Sequence, residues 1–267
     1  MKTYLEKIIP IAVKAGETIM DIYHSADFGV EMKSDNSPLT LADRASHDII
    51  VEGLKKEFPG IPVLSEEGRD IPYEERKNWE KFWLVDPLDG TKEFIKKNDE
   101  FTVNIALIEN NEAVLGVIYS PALENNSEPA EDSLDFETPY LKSGTLYFGG
   151  TGLGAFMQFK GDKYRRISVN KDKSNGVIAV RSRSHAFPEE ETVFEKYGVT
   201  ETISAGSSIK FCRVADGSAH LYYRHGPTNE WDVGAGYAIA KAAGAEIEGL
   251  QFNKENVLNG SFLVKSI

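Results

Sequence analysis

The sequence predicts a mixed α/β protein in two lobes, an α+β lobe over residues 1–165 and an α/β lobe over 166–267. Three observations predict it. A chain of 267 residues is long enough for two units of ordinary domain size. Up to Phe58 apolar side chains recur at helical spacings, and from Val63 to Tyr119 short β-branched and aromatic runs take over. Beyond Gly161 strand-like and helix-like segments alternate, the order of an α/β unit, so the boundary falls within 160–175.

Leu5, Ile8, Ala12, Ala15, Ile19 and Ile22 form one stripe at spacings of three and four, which predicts a first helix. A second helix runs from Leu41 to Phe58 with Leu41, Ala45, Ile49 and Leu54 inward, and Pro59-Gly60 ends it because proline cannot continue the hydrogen-bond ladder. Strands follow at Val63-Leu64, Phe82 to Val85, Phe101 to Ile108 and Val114 to Tyr119, with Asn110-Asn111 as a hairpin turn. A helix through Glu93, Phe94 and Ile95 interrupts them. The acidic stretch 123–138 reads as a solvated loop. The second lobe offers a strand at Val177 to Val180, a helix at Glu189 to Tyr197, strand residues Ile203 and Ala205, and a small-residue helix at Val233 to Ala243. Strands near Ala245 to Ile247 and Phe262 to Val264 complete it.

Composition narrows the function. With 41% hydrophobic and 27% charged residues the chain buries an ordinary core. A net charge of −12 repels phosphate backbones, which disfavours nucleic-acid polymers as partners. An acidic substrate stays open, provided metal ions neutralise its site. Cys212 is the single cysteine, so no internal disulfide forms, in keeping with a reducing compartment. The apolar run Ile8 to Val13 is interrupted by Pro10 and preceded by Glu6, too short to span a bilayer and a poor secretory signal. A cytoplasmic, water-soluble protein is expected, either free or peripheral at the inner face of the membrane.

Chemistry concentrates in a few acidic segments. Trp83-Leu84-Val85 leads into Asp86-Pro87-Leu88-Asp89-Gly90-Thr91, an apolar strand ending in two aspartates around a tight turn. Such aspartates, joined by a backbone carbonyl, form an oxygen-only donor set that suits Mg²⁺ or Mn²⁺ rather than Zn²⁺. The alternative is an Asp-rich turn in which Asp89 caps the following helix. Glu66-Glu67 also lies at a strand end, Asp43 at the start of the second helix, and Asp232 at the start of the small-residue helix. Each acid alone reads equally as a cap, a salt-bridge partner or surface.

Together these segments resemble the lithium-sensitive, magnesium-dependent phosphatase superfamily of inositol monophosphatase and fructose-1,6-bisphosphatase. Asp86-Pro87-Leu88-Asp89-Gly90-Thr91 matches its first signature, and Trp231-Asp232 with Gly234-Ala235-Gly236 its second; Glu66-Glu67 and Asp43 fall where the family places its other acids. The resemblance covers nearly the whole chain apart from 123–138. Within the superfamily the chain is most similar to the bacterial 3′(2′),5′-bisphosphate nucleotidases. That likeness rests on Asp35-Asn36-Ser37-Pro38, Leu64-Ser65-Glu66-Glu67, the run Thr91 to Lys96, the run Glu100 to Ile108, Ser182-Arg183-Ser184-His185, the run Gly206 to Cys212, and Gly226-Pro227-Thr228.

The resemblance implies a layered αβαβα sugar-phosphatase fold with the active site between the lobes. It implies one Mg²⁺ on Glu66, Asp86, the Leu88 carbonyl and Thr91, and a second on Asp86, Asp89 and Asp232; some members hold a weaker third near Glu66. Thr91 hydrogen-bonded to Asp43 would be the water-activating pair. Ser182, His185, Gly206 and Lys210 would contact the nucleotide, and Glu66, Leu88, Asp89, Gly90, Thr91 and Asp232 would also bind the substrate. Arg183 is either a further anion contact or a loop anchor, and His185 either a nucleotide contact or a structural histidine. The implied reaction hydrolyses the 3′-phosphate of adenosine 3′,5′-bisphosphate to AMP, with 3′-phosphoadenylyl sulfate as a second substrate, in sulfur assimilation and nucleotide recycling. The partner is thus a small bisphosphonucleotide, and the chain is expected to act as a monomer or weak homodimer.

Competing readings explain less. A haloacid-dehalogenase phosphatase needs an aspartate two positions before Asp89, where Pro87 stands. A metal-dependent nucleotide-sugar transferase would not require Glu66, Thr91 and Asp232 together. A silent nucleotide or cation sensor would be favoured by loss of Asp43 or Thr91, and both are present. An inositol-1-phosphate phosphatase uses the same metal core and is the alternative enzyme. Trp79, Trp83 and Trp231 read as core, and His24, His47, His220 and His225 lack metal-ligand spacing with a cysteine.

Overall fold

The computed structural model describes residues 1–25, 28–32, 38–68, 70–124, 138–184 and 187–267. In chain order the elements are α1 (Lys2–Tyr23), β1 (Glu31–Met32), β2 (Pro38–Leu39), α2 (Leu41–Glu57), β3 (Val63–Ser65), α3 (Tyr73–Arg76), β4 (Lys81–Asp89) and α4 (Thr91–Ile95). Then come β5 (Thr102–Glu109), β6 (Glu112–Ser120), β7 (Thr145–Gly150), β8 (Gly154–Phe159), β9 (Arg165–Ile167), β10 (Val177–Ser182), α5 (Glu189–Tyr197), β11 (Val199–Ala205) and α6 (Ile209–Ala215). The chain closes with β12 (Leu221–Arg224), β13 (Thr228–Asn229), α7 (Glu230–Ala242), β14 (Glu246–Glu248), β15 (Leu258–Asn259) and β16 (Phe262–Lys265).

A seven-stranded sheet runs β3-β4-β5-β6-β7-β8-β9 and a five-stranded sheet β11-β10-β12-β16-β14. The first is antiparallel except for the β3–β4 pair; in the second β10 lies parallel to both β11 and β12. Helices α1 and α2 cover one face of the large sheet, α6 and α7 fill the space between the sheets, and α5 covers the outer face of the small one. The layers are therefore α, β, α, β, α. Three apolar clusters fill the gaps: Leu5, Ile8 and Trp83 under α1, Phe211, Ile239 and Phe262 between the sheets, and Ala179, Phe194 and Leu221 under α5. Burying each large aliphatic or aromatic side chain contributes about 1.5–3 kcal/mol, so these clusters hold the layers together.

Local chemistry explains the elements that carry the site. Asn110 and Asn111 adopt φ of 51° and 61°, the left-handed pair that a tight hairpin between β5 and β6 requires and that asparagine tolerates. Helix α7 packs close because its face is small: a Cβ on Gly236 would lie 2.4 Å from the Phe211 ring, and one on Gly234 2.9 Å from Leu84. The other side of that approach is Gly116 of β6, where a Cβ would fall 2.3 Å from the Ala235 carbonyl.

Two sequence expectations change. Helix α2 buries Ala42, Asp43, Ser46, Ile50 and Leu54, while Leu41 stands 50% exposed and Ala45 and Ile49 are half-buried. Polar contacts turn the helix: Ser46 donates to the Pro87 carbonyl at 2.7 Å, and Asp43 accepts from the hydroxyls of Thr40 and Thr91. Leaving those buried groups unmade would cost more than Leu41 gains. The region between 145 and 167, with no strand expected, supplies β7, β8 and β9 as the far edge of the large sheet. The acidic stretch falls mostly on 125–137, outside the described residues, as do Asp35, Asn36 and Ser37.

Candidate active site

A cavity of about 300 Å³ opens where β3, β4, α4 and α7 meet the end of β10 and the start of α6. Its wall includes Glu66, Asp86, Leu88, Asp89, Gly90, Thr91, Ser182, Gly206, Lys210 and Asp232, so ten of the sequence-predicted residues share it. Asp43 stands behind Thr91. His185 lies outside the described residues.

The backbone explains how the acids meet. Residues three apart on a regular strand face opposite sides. The β4–β5 ladder pairs Asp86 with Asn104 and Asp89 with Thr102, one extra residue on β4, so a bulge at Pro87-Leu88 re-aims Asp89 to the side of Asp86. Glu66 arrives beside them because its amide donates to the Val85 carbonyl at 3.1 Å, extending the parallel β3–β4 pair. Asp232 sits at the third position of α7, where it accepts the Asn229 amide at 2.8 Å and so also closes the helix end. The positive end of that helix offsets part of the negative charge.

Burial and crowding disfavour the charged acids. Asp86 is pushed well above the usual carboxylate range by burial and by Glu66, Asp89 and Asp232. Asp232 is raised in the same way, by burial first and Asp89 next. Asp89 is raised by burial, against the pull of Lys210 and the Ser207 hydroxyl. Its Oδ2 accepts the Ser208 amide at 2.6 Å and the Ser207 hydroxyl at 2.8 Å. Asp89 therefore does not cap α4, whose capping position is Gly90 at φ 89°; it ties β4 to the start of α6.

Thr91 and Asp43 form the expected pair. The Thr91 hydroxyl donates to Asp43 Oδ1 at 3.2 Å and lies 3.3 Å from the Leu88 carbonyl oxygen. The other carboxylate oxygen is held by the Thr40 amide at 2.7 Å and the Thr40 hydroxyl at 2.6 Å. Asp43 is thus at once the reciprocal cap of α2 and the acceptor for Thr91, and only 1% exposed.

The same wall also carries cationic and aromatic groups. Lys210 is buried, lies 5.7 Å from the Tyr222 ring centre, and has its amine pulled down to about 8 by burial, against the attraction of Asp89. Arg224, also buried, is close enough to disfavour the charged lysine. Sequence reasoning named Ser207 and Ser208 only within the run Gly206 to Cys212 and gave no role to Arg224 or Tyr222; the spacing of fourteen residues between Lys210 and Arg224 carries no local pattern. Arg183 proves to be a loop anchor: its guanidinium makes paired bonds to Glu100 at 2.5 and 2.7 Å, outside the cavity wall.

The donor set fits a hard divalent cation, with carboxylate, carbonyl and hydroxyl oxygens and neither thiolate nor imidazole among the described wall residues. Among the described residues no three acidic, histidine or cysteine side chains converge on one ion position. The fit rests on that chemistry and on acids whose mutual repulsion a cation would relieve.

Comparison with known proteins agrees across the chain. The model of the inositol monophosphatase family matches residues 1–266. The 3′(2′),5′-bisphosphate nucleotidase CysQ of Escherichia coli (strain K12) is 41% identical over 268 residues, covering 97% of this chain and 98% of that protein. CysQ of Haemophilus influenzae is 32% identical, covering 97% and 91%. The crystal structure of CysQ from Bacteroides thetaiotaomicron superposes with a TM-score of 0.80 at 40% identity, over 99% of this chain and 97% of that one. An inositol monophosphatase from Thermotoga maritima, at 24% identity and TM-score 0.73 over 98% and 92% of the two chains, shares the fold.

Proposed function

The chain belongs to the inositol monophosphatase family, and from that premise we propose that it hydrolyses the 3′-phosphate of adenosine 3′,5′-bisphosphate, giving AMP and phosphate. It is a phosphoric monoester hydrolase of the 3′(2′),5′-bisphosphate nucleotidase type, as its full-length relatives are named. The observation that carries the reading is a single cavity lined both by carboxylates and by the buried cations Lys210 and Arg224. A substrate with two phosphates matches it: the acids would hold cations for one phosphate, and Lys210 and Arg224 would meet the other directly.

The family is generally magnesium-dependent. Glu66, Asp86, the Leu88 carbonyl and Thr91 would hold one Mg²⁺, and Asp86, Asp89 and Asp232 a second. When bound, the ions neutralise phosphoryl charge and acidify water. The remaining work belongs to the chain. Thr91 takes a proton from the attacking water as its own passes to Asp43, whose second oxygen stays anchored on Thr40. Water oxygen bonds to phosphorus, the bond from phosphorus to the 3′-oxygen breaks, and solvent supplies that oxygen's proton. Lys210, Ser182, Gly206 and His185 hold the nucleotide in the second lobe, residues 166–267. We take 3′-phosphoadenylyl sulfate as a second substrate, the cytoplasm as the place of action, and a monomer or weak homodimer as the working form; no described helix is long and apolar enough to cross a membrane.

A phosphate-release panel tests this with adenosine 3′,5′-bisphosphate, 3′-phosphoadenylyl sulfate, inositol 1-phosphate and fructose 1,6-bisphosphate, each with Mg²⁺ and with chelator. The nucleotide should be preferred, and chelator should abolish turnover. A preference of about tenfold for inositol 1-phosphate, or about 1.4 kcal/mol, overturns the nucleotidase reading; full activity in chelator overturns the metal-holding residues together.

A further inference from the structure

Outside the cavity, a cluster of charged and polar groups joins the two sheets. Glu100 lies just before β5 and is only 15% exposed, yet it neither lines the cavity nor touches an acid proposed to hold metal. Its carboxylate accepts three bonds from the other side of the molecule: Arg183 Nε at 2.5 Å, Arg183 Nη2 at 2.7 Å, and the Gly206 amide at 2.9 Å. Arg183 also donates to the Ser204 carbonyl at 3.1 Å, so it holds the end of β11 as well as Glu100. Beside it the Ser184 hydroxyl donates to Glu93 at 2.5 Å.

The turn that Glu100 grips is the one that builds the recognition wall. A Cβ on Gly206 would come within 3.0 Å of Glu100 Cβ, the Glu100 carbonyl and Glu93 Cγ, so a larger residue there would have to push the turn or Glu100 aside by a few tenths of an ångström. The next residue, Ser207, has φ of 50°, a left-handed conformation that costs free energy for a serine and persists only when its surroundings hold it. Those surroundings are Thr102 and Asp89, which bond its hydroxyl. Two residues beyond Ser208 comes Lys210, whose position therefore follows from the turn.

We propose that Glu100, gripped by Arg183, is a positioning residue for substrate selection: it locks the Gly206–Ser208 turn to the large sheet and so sets where Lys210 stands for the nucleotide. This rests on the nucleotidase reading above. The pair acts through Gly206 and touches no reacting atom. A shift of about 1 Å at a contact remote from the chemistry is enough to cost up to about a hundredfold.

The test compares Arg183→Ala, Glu100→Gln and the double variant in the full chain with Mg²⁺. Each single change should raise KM for adenosine 3′,5′-bisphosphate by about tenfold or more while kcat falls by less than about threefold. Calorimetric affinity for AMP should weaken in parallel. The double variant should match the worse single one, because both remove the same grip. The loss of kcat/KM on the nucleotide should exceed that on p-nitrophenyl phosphate by about tenfold. Arg183→Lys keeps the charge but not the paired bonds; it should fall between and serves if the alanine form does not fold. Equal losses on both substrates, an unchanged KM, or multiplying single effects overturn the positioning role. A wild-type protein that prefers inositol 1-phosphate overturns the nucleotidase reading instead, a result visible before any variant is made.

Discussion

Asp43→Asn separates catalysis from helix capping in one substitution. Asp43 Oδ2 receives the Thr40 amide at 2.7 Å, and an N–H can only donate. The asparagine carbonyl must therefore take that place, which turns its NH₂ toward Thr91, whose hydroxyl now donates to Oδ1 at 3.2 Å. The acceptor for the threonine proton becomes a donor, so Thr91 can no longer pass on a proton while taking one from water. Loss of a positioned proton acceptor lowers kcat by about 10²–10⁴-fold, or about 3–5 kcal/mol. The capping bond survives, so the melting temperature should barely move. Asp43→Ala loses both, adding about 0.5–2 kcal/mol of destabilisation for the missing cap. Steady-state phosphate release at saturating Mg²⁺ and nucleotide gives kcat, and a thermal melt gives the control. Thr91→Ala should lose a similar factor, and the double variant should be scarcely worse because the two act as a unit. If the single losses multiply, or if Asp43→Asn keeps more than about a tenth of the wild-type kcat, the shared proton path is wrong.

Burial and Asp89 raise the Asp232 carboxyl in the folded protein well above its ordinary 3.8. The native state then keeps a proton that the unfolded chain releases, so this contribution is fully present at acid pH and is lost as pH climbs through the raised value. In chelator, Asp232→Asn should therefore flatten that decline and raise the melting temperature at neutral pH, while its amide oxygen still accepts from Asn229; a lower melting temperature would refute the repulsion argument. Lys210→Ala should raise KM for adenosine 3′,5′-bisphosphate by about one to two decades, the scale of one lost charge-assisted contact. Because burial pulls the Lys210 amine down to about 8, the wild-type KM should itself rise as pH passes that value and the charge is lost; the same pH profile in the alanine variant would assign the effect to another group.

What could be read along the chain was whatever chemistry repeats locally. The α1 stripe, the Asn110-Asn111 hairpin and the Asp86 to Thr91 strand end each depend on neighbours within a few residues, and each stands in the fold. The acids were legible for the same reason, since strand ends and helix starts are marked by prolines, glycines and caps nearby. Only the tertiary structure decided which side of α2 faces inward, because Ser46 answers to the Pro87 carbonyl forty-one residues away and apolar periodicity contains no term for it. It also decided that Asp86 and Asp89 share a side, through a bulge visible only once β4 is paired with β5. Arg183 stood open between anion contact and loop anchor until the fold brought Glu100, eighty-three residues earlier, against its Nε and Nη2. Arg224 gave no local sign, since a buried arginine acquires meaning from the Lys210 and Asp232 near it. Periodicity and turn chemistry are properties of consecutive residues, whereas the pairing of polar groups in a site is a property of surfaces brought together by folding.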